Sequence, residues 1–135
     1  MLFCLLTLCI YFITDEDIEK TYKRLGDYIR AKNYKKIAYK FHPYFFADSN
    51  LTHKVFFEKQ INKYFGSNIS CIPATYSLEN VLMTYKCDFY TDNSSVAIYA
   101  EAMGVKCYSY IPILREYTDA YHQVPLIEDF CIPIE

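Results

Sequence analysis

A chain of 135 residues is one domain by length and is large enough to bury a real core. Its net charge of −2 excludes the basic field that nucleic-acid binding needs, and 15 Tyr and 10 Phe make no stacking platform without that field. With 53% hydrophobic residues, 3 Gly and 5 Pro, the composition also argues against disorder and low complexity.

Met1 to Ile13, MLFCLLTLCIYFI, is the first apolar run. It carries no Lys or Arg and runs into Thr14-Asp15-Glu16-Asp17, which is not the pattern of a signal peptide. It is also shorter than the roughly 20 residues of a membrane span. A strand buried on both faces, as in a parallel sheet, is the first reading; a signal or anchor segment is the alternative. The strand lies so close to Met1 that a preceding segment is expected. Thr14 then caps a helix, with Asp17 three residues on and an acidic first turn. Ile18, Tyr22, Leu25 and Ile29 share its apolar face, and Asn33 stops it. Basic residues between Asp15 and Lys36 form a solvated face or touch an anionic membrane surface.

Lys36 to Phe41, KIAYKF, predicts a short strand that delivers His42-Pro43 at its carboxyl end. A loop from Tyr44 to Asn50 precedes a helix from Thr52 to Tyr64, with Val55, Phe56, Lys59 (by its stem), Ile61 and Tyr64 near the buried side and Gly66 at its end. Ser70 to Ile72 is a brief strand and Pro73 to Tyr76 a loop. Ser77 caps the next helix, SLENVLMTY, which carries Glu79 and an apolar face of Leu78, Val81, Leu82 and Tyr85. A strand from Cys87 to Thr91, a polar turn Asp92-Asn93-Ser94-Ser95, a short helix ending at Gly104 and a strand from Val105 to Tyr110 come next. A helix from about Ile113 to Tyr121 and an irregular tail with Pro125 and Pro133 complete the chain. Strands alternate with helices throughout, which predicts βαβ units, right-handed crossovers and a mostly parallel sheet, hence an α/β fold.

Ligands of open α/β sheets bind beyond the carboxyl ends of the strands, where His42-Pro43 and Ser94-Ser95 fall. His42 suits a phosphate, or it fixes its own loop. Ser94 and Ser95 offer two hydroxyls and free backbone N–H groups to a phosphate, or they cap the following helix. Glu79 could accept from a ribose diol, or it complements the helix dipole. His53 and His122 have no neighbours at metal spacing, so no metal is expected. Asp88 and Asp92 form no evident catalytic pair. There is no G-x-S-x-G, Walker loop or G-x-G-x-x-G. The six cysteines contain no C-x-x-C pair, and buried free thiols in a reducing cytosol are expected rather than a disulfide framework. Asn50, Asn68 and Asn93 begin glycosylation-type triplets, which matter only in a secreted protein.

KIAYKFHP, then IPATYSLENVLM, then CDFYTDNSSVAIYAEAMGVK, resemble the carboxyl-terminal, donor-binding half of bacterial GT-B-type sialyltransferases, the capsule polysialyltransferases and lipooligosaccharide sialyltransferases. That family shares a His-Pro motif after a strand, a Glu at a helix start and a Ser-Ser motif at a later one. The resemblance covers residues 3 to 111. It implies a single Rossmann-like three-layer domain over 1–135, like the carboxyl-terminal domain of a GT-B glycosyltransferase. By the resemblance, His42 would contact the phosphate of a CMP-sialic acid donor and stabilise the leaving phosphate. Pro43, Ser94 and Ser95 would belong to the same donor site, Glu79 would hold the ribose hydroxyls, and the loop Ile72 to Tyr76 would approach the base through backbone groups.

In that family the catalytic base lies in an amino-terminal, acceptor-binding domain. The resemblance therefore implies a partial protein that binds nucleotide but does not turn over alone, completed by a separate domain. It further implies a glycan acceptor at the cell surface, no cofactor, and a cytoplasmic site with peripheral contact to the inner membrane surface. Two other readings stand beside it: a transferase of polyol phosphate from a CDP-activated donor, and a small secreted, cysteine-paired, non-enzymatic α/β protein.

Overall fold

The computed structural model describes residues 3–8, 14–42, 46–92, 95–117, 119 and 130–135. Pro43, Asn93, Ser94 and His122, the expected helix beyond 117, and Pro125 lie outside the described residues. Six strands form one parallel sheet: β1 Phe3–Leu8, β2 Lys36–Phe41, β3 Ile69–Cys71, β4 Cys87–Thr91, β5 Cys107–Ser109 and β6 Ile132–Pro133. Their order across the sheet is β3-β2-β1-β4-β5-β6. Strand order reverses at β1, whose Phe3 is in register with Lys36 of β2 on one side and Cys87 of β4 on the other. The α/β class and the parallel sheet expected from the alternation are what the structure has.

Helices cover both faces. α1 (Asp15–Ala31), α2 (Leu51–Tyr64) and α5 (Ile111–Tyr117) pack around one apolar cluster, which includes Ile37, Tyr39 and Phe41 of β2 and Tyr90 of β4. α3 (Leu78–Thr84) and α4 (Val96–Ala102) pack against each other over a second cluster, with Ala38, Cys87, Phe89 and Cys107 from the sheet. Alternate residues of one strand thus enter different cores, as the pleat requires. α1 forms as the sequence predicts. Thr14 Oγ1 accepts from Asp17 N at 3.2 Å, Ile18, Tyr22, Leu25 and Ile29 are buried, and Asn33 leaves the helix at φ 56°. Lys63 and Tyr64 of α2 both donate to Glu19 Oε1, and Arg24 pairs with Glu116 of α5. Among the described residues no helix is long and apolar enough to cross a membrane.

Several sequence expectations are corrected. The buried side of α2 is Phe57, Gln60 and Ile61, whereas Val55 is 64% exposed and Lys59 is exposed. The rings of Phe57 and Phe65 meet Tyr22 edge-on at 5.6 and 5.9 Å, and this contact sets the rotation of the helix. Tyr85, expected on the apolar face of α3, is 53% exposed and lies just past the helix end. β3 begins one residue earlier than expected, and β5 is shorter at both ends. α5 begins at Ile111, before Pro112 rather than after it, because a first turn needs no N–H from proline. The tail is not wholly irregular, since Ile132–Pro133 adds β6 at the sheet edge, where a proline costs no ladder bond.

Candidate functional site

In a parallel sheet all strands end on one edge, and every helix that follows a strand starts there. His42 follows β2 at this edge and is exposed. The preceding Phe41 is buried, and its ring lies 6.5 Å from that of Phe46. Lys54 Nζ sits over both rings, at 5.1 and 5.7 Å, while bonding Glu58 Oε1 at 2.8 Å. A cation therefore stands beside the end of β2, on the first turn of α2. Sequence reasoning missed it, and the only signal was the Lys54–Glu58 spacing of one helical turn.

Ser95 follows β4 and begins the approach to α4. Its φ and ψ, −58° and −18°, are already helical, and its side chain makes no capping hydrogen bond. The ordinary role of a serine at this place, capping the helix, is thus not performed by Ser95, and the residue is exposed. α4 has seven residues, so its dipole is small and hydroxyl and backbone donors matter more there. The ends of β4 and β5 are tied firmly beneath it. Tyr110 N donates to Thr91 O at 3.1 Å, Ser109 Oγ to Asp92 O at 3.2 Å, and Ile111 N to Ser109 Oγ at 3.3 Å. Asp92 is 2% exposed, so its carboxylate faces the fold rather than a ligand in solvent.

Glu79 stands in the first turn of α3, half-buried, two residues after Ser77. Ser77 Oγ accepts from Asn80 N at 3.1 Å, which fixes the entry to that helix. Because α3 and α4 are neighbours, Glu79 and Ser95 mark the starts of adjacent helices on the same edge. The loop Ile72 to Tyr76 is closed by Tyr76 N donating to Pro73 O at 3.1 Å. It borders a cleft of about 290 Å³ that runs between β2, β3 and α3, lined by Ala38, Cys71, Ile72, Tyr76, Val81 and Tyr85.

The structure thus places His42, Glu79 and Ser95 on one edge of one sheet, after β2 and at the starts of α3 and α4. Pro43 and Ser94 lie outside the described residues. A larger cleft of about 500 Å³ is at the opposite edge, between Leu82–Asp88 and Met103–Lys106. Volume does not decide the matter, because ligands of open α/β sheets bind beyond the carboxyl ends of the strands, where the following helices begin. Asp88 borders that larger cleft and is held from within the fold. Tyr34 Oη donates to it at 2.6 Å and lies 2.7 Å from Tyr90 Oη, a buried knot under the end of α1. Burial, and then these two bonds, push the Tyr34 phenol far above its usual range.

Cys71, Cys87, Cys107 and Cys131 are free thiols, the last three buried. Burial, then the Asp88 charge, pushes Cys87 up to about 11. Among the described residues no cluster of three or more His, Cys, Asp and Glu could hold a metal ion. No protein-family model matches this chain, and no curated protein matches it.

Proposed function

We propose that the carboxyl edge of this sheet holds the nucleotide of a CMP-activated sialic acid, as the donor domain of a sialyltransferase. In this reading the chain is a Rossmann-like three-layer domain, similar to the carboxyl-terminal domain of a GT-B glycosyltransferase. One observation carries the proposal. The three motifs of the resemblance are far apart in sequence, yet His42, Glu79 and Ser95 all fall at strand ends or helix starts on the carboxyl edge of one parallel sheet. A strand order of 3-2-1-4-5-6 with all strands parallel is the arrangement in which a nucleotide lies across the crevice where strand order reverses.

The chemistry asks little more of these residues. Sialyl transfer breaks the bond between the sugar and the phosphate of CMP, and the electron pair leaves with the phosphate. Donors already aimed at that oxygen lower the barrier as charge develops. His42, the Ser95 hydroxyl and the backbone beside it supply such donors, and Lys54 adds a nearby cation. Glu79 receives the ribose hydroxyls, and the loop Ile72 to Tyr76, with its cleft, receives the base. The acceptor hydroxyl must lose its proton to a base on another domain, so this chain alone binds the donor without turning it over. Donor and acceptor chemistry of this kind belongs to the cytoplasmic side of a cell membrane, with the chain at its surface.

The test is CMP binding. Each charge-assisted hydrogen bond to a phosphate contributes about 1.5–3 kcal/mol, so His42→Ala is expected to weaken CMP about 10- to 100-fold and Ser95→Ala by somewhat less. Chemical-shift titration of the folded protein measures both. A folded sample that shows no change at millimolar CMP overturns the proposal. CDP-glycerol outcompeting CMP-sialic acid would replace the sialyl donor by a polyol phosphate donor.

A further inference from the structure

β5 and β6 are parallel neighbours, with Tyr108 in register with Ile132 and Ser109 with Pro133. One step back along both strands lie Cys107 and Cys131. Both are buried, at 3% and 8% exposure, and both belong to the apolar cluster under α4. Neighbouring strands stand about 4.7–4.9 Å apart, within the roughly 4.4–6.8 Å between Cα atoms that a disulfide spans. Two thiols in register on the same face are therefore placed for a covalent bond without moving the backbone far. We propose that Cys107 and Cys131 form a two-electron redox site, whose disulfide clasps the carboxyl-terminal strand to the sheet.

Cys107 donates its S–H to Cys131, which lowers the Cys131 thiol below its ordinary range, while that bond and burial hold the Cys107 proton on. Either sulfur can serve as the nucleophile, and the balance below is the same for both. With a hydroperoxide as oxidant, one thiolate takes the terminal oxygen and becomes a sulfenic acid, and the peroxide leaves as an alcohol or water. The other thiol then attacks that sulfur and its hydroxyl departs as water. The sum is two thiols and one hydroperoxide giving one disulfide, one water and one alcohol, or two waters from hydrogen peroxide. The site is independent of the nucleotide reading. Its effect still reaches the same edge, because Ile134, three residues beyond Cys131, donates its N–H to Ser109 O at 2.8 Å.

Trypsin provides the readout, since Lys106 and Arg115 place the two cysteines in adjacent peptides, 107–115 and 116–135. The full-length folded protein is treated with hydrogen peroxide, its remaining thiols are alkylated after denaturation, and the non-reduced digest is weighed. The expected product is 107–115 joined to 116–135, two hydrogens lighter than their sum and separated again by a reductant. Because the bond closes a loop in the unfolded chain, oxidation is also expected to raise Tm by about 5–10 °C, and Cys131→Ser to abolish that rise. Recovery of both peptides as separate alkylated species after peroxide overturns the proposal, and so does either cysteine linked to a different one. The digest needs only the unaltered chain, so a variant that fails to fold does not weaken the test.

Discussion

Gly26 lies in the middle of α1, where glycine costs about 1 kcal/mol of helix propensity against alanine. Its reason is a close approach: a Cβ there would stand 2.5 Å from Tyr64 O of α2. The obstacle is backbone, which cannot swing aside. Gly26→Ala gains helix propensity but must push two helices apart, and overpacking of this kind costs about 1–3 kcal/mol. We expect a net loss of about 1–2 kcal/mol, seen as a lower urea midpoint with an unchanged m-value. A gain in stability would mean that α1 and α2 cross elsewhere. Nothing in the sequence marked Gly26, because the contact joins elements remote along the chain. Thr14, Asn33, Ser77 and Gly104 were all legible, since each acts on its own neighbours. Gly104 takes φ 71°, a conformation that glycine adopts freely.

Among the elements, α3 depends most on one side chain. It has seven residues, only Leu82 fully buried, and Ser77 Oγ holds its first turn. Helices this short do not persist on propensity. Ser77→Ala is expected to cost about 1 kcal/mol overall and to fray α3 first, visible as faster amide exchange from Leu78 to Val81. If Glu79 serves the ribose, the same change also lowers CMP affinity, although Ser77 touches no ligand. α2 shows how an element can be foreseen while its rotation is not. Its limits were nearly right, but hydropathy alone placed Val55 inward, and the contacts of Phe57 and Phe65 with Tyr22 turned it outward. Long aromatic rings outweigh a valine when both cannot face the core. β6 was missed for a similar reason. Two residues carry no period, and only the exposed edge of β5 makes them a strand.

For the molecule as a whole, the two faces of the sheet differ in chemistry. The α1 side is rich in tyrosine, and burial pushes Tyr39 up to about 12 and Tyr34 and Tyr108 upward too. The unfolded chain releases these protons near the ordinary tyrosine value of about 10, whereas the folded chain keeps them. Above that pH the unfolded state binds fewer protons, so stability is complete below about pH 10 and falls as pH rises. Each such tyrosine steepens the fall by about 1.4 kcal/mol per pH unit until its folded value is passed. Urea unfolding across about pH 9 to 12 measures the slope, and Tyr39→Phe is expected to reduce it by about one proton. The alternation of strands and helices made the α/β class legible. The order of strands was not, because pairing partners are chosen by crossover geometry rather than by local pattern. The edge that carries His42, Glu79 and Ser95 could be foreseen from the residues at each strand's carboxyl end, whereas Lys54 reaches it only through tertiary packing.

The two neighbours of β1 come from very different distances along the chain. β2 arrives after a single helix, and β4 only after most of the chain. Ladders between distant segments form slowly, since the intervening chain must be gathered first. The β1–β2 ladder can therefore close early, while the β1–β4 ladder waits. The crevice where strand order reverses has no existence until that last ladder zips. A ligand seated there cannot assist any earlier species, and its binding reports the finished fold alone.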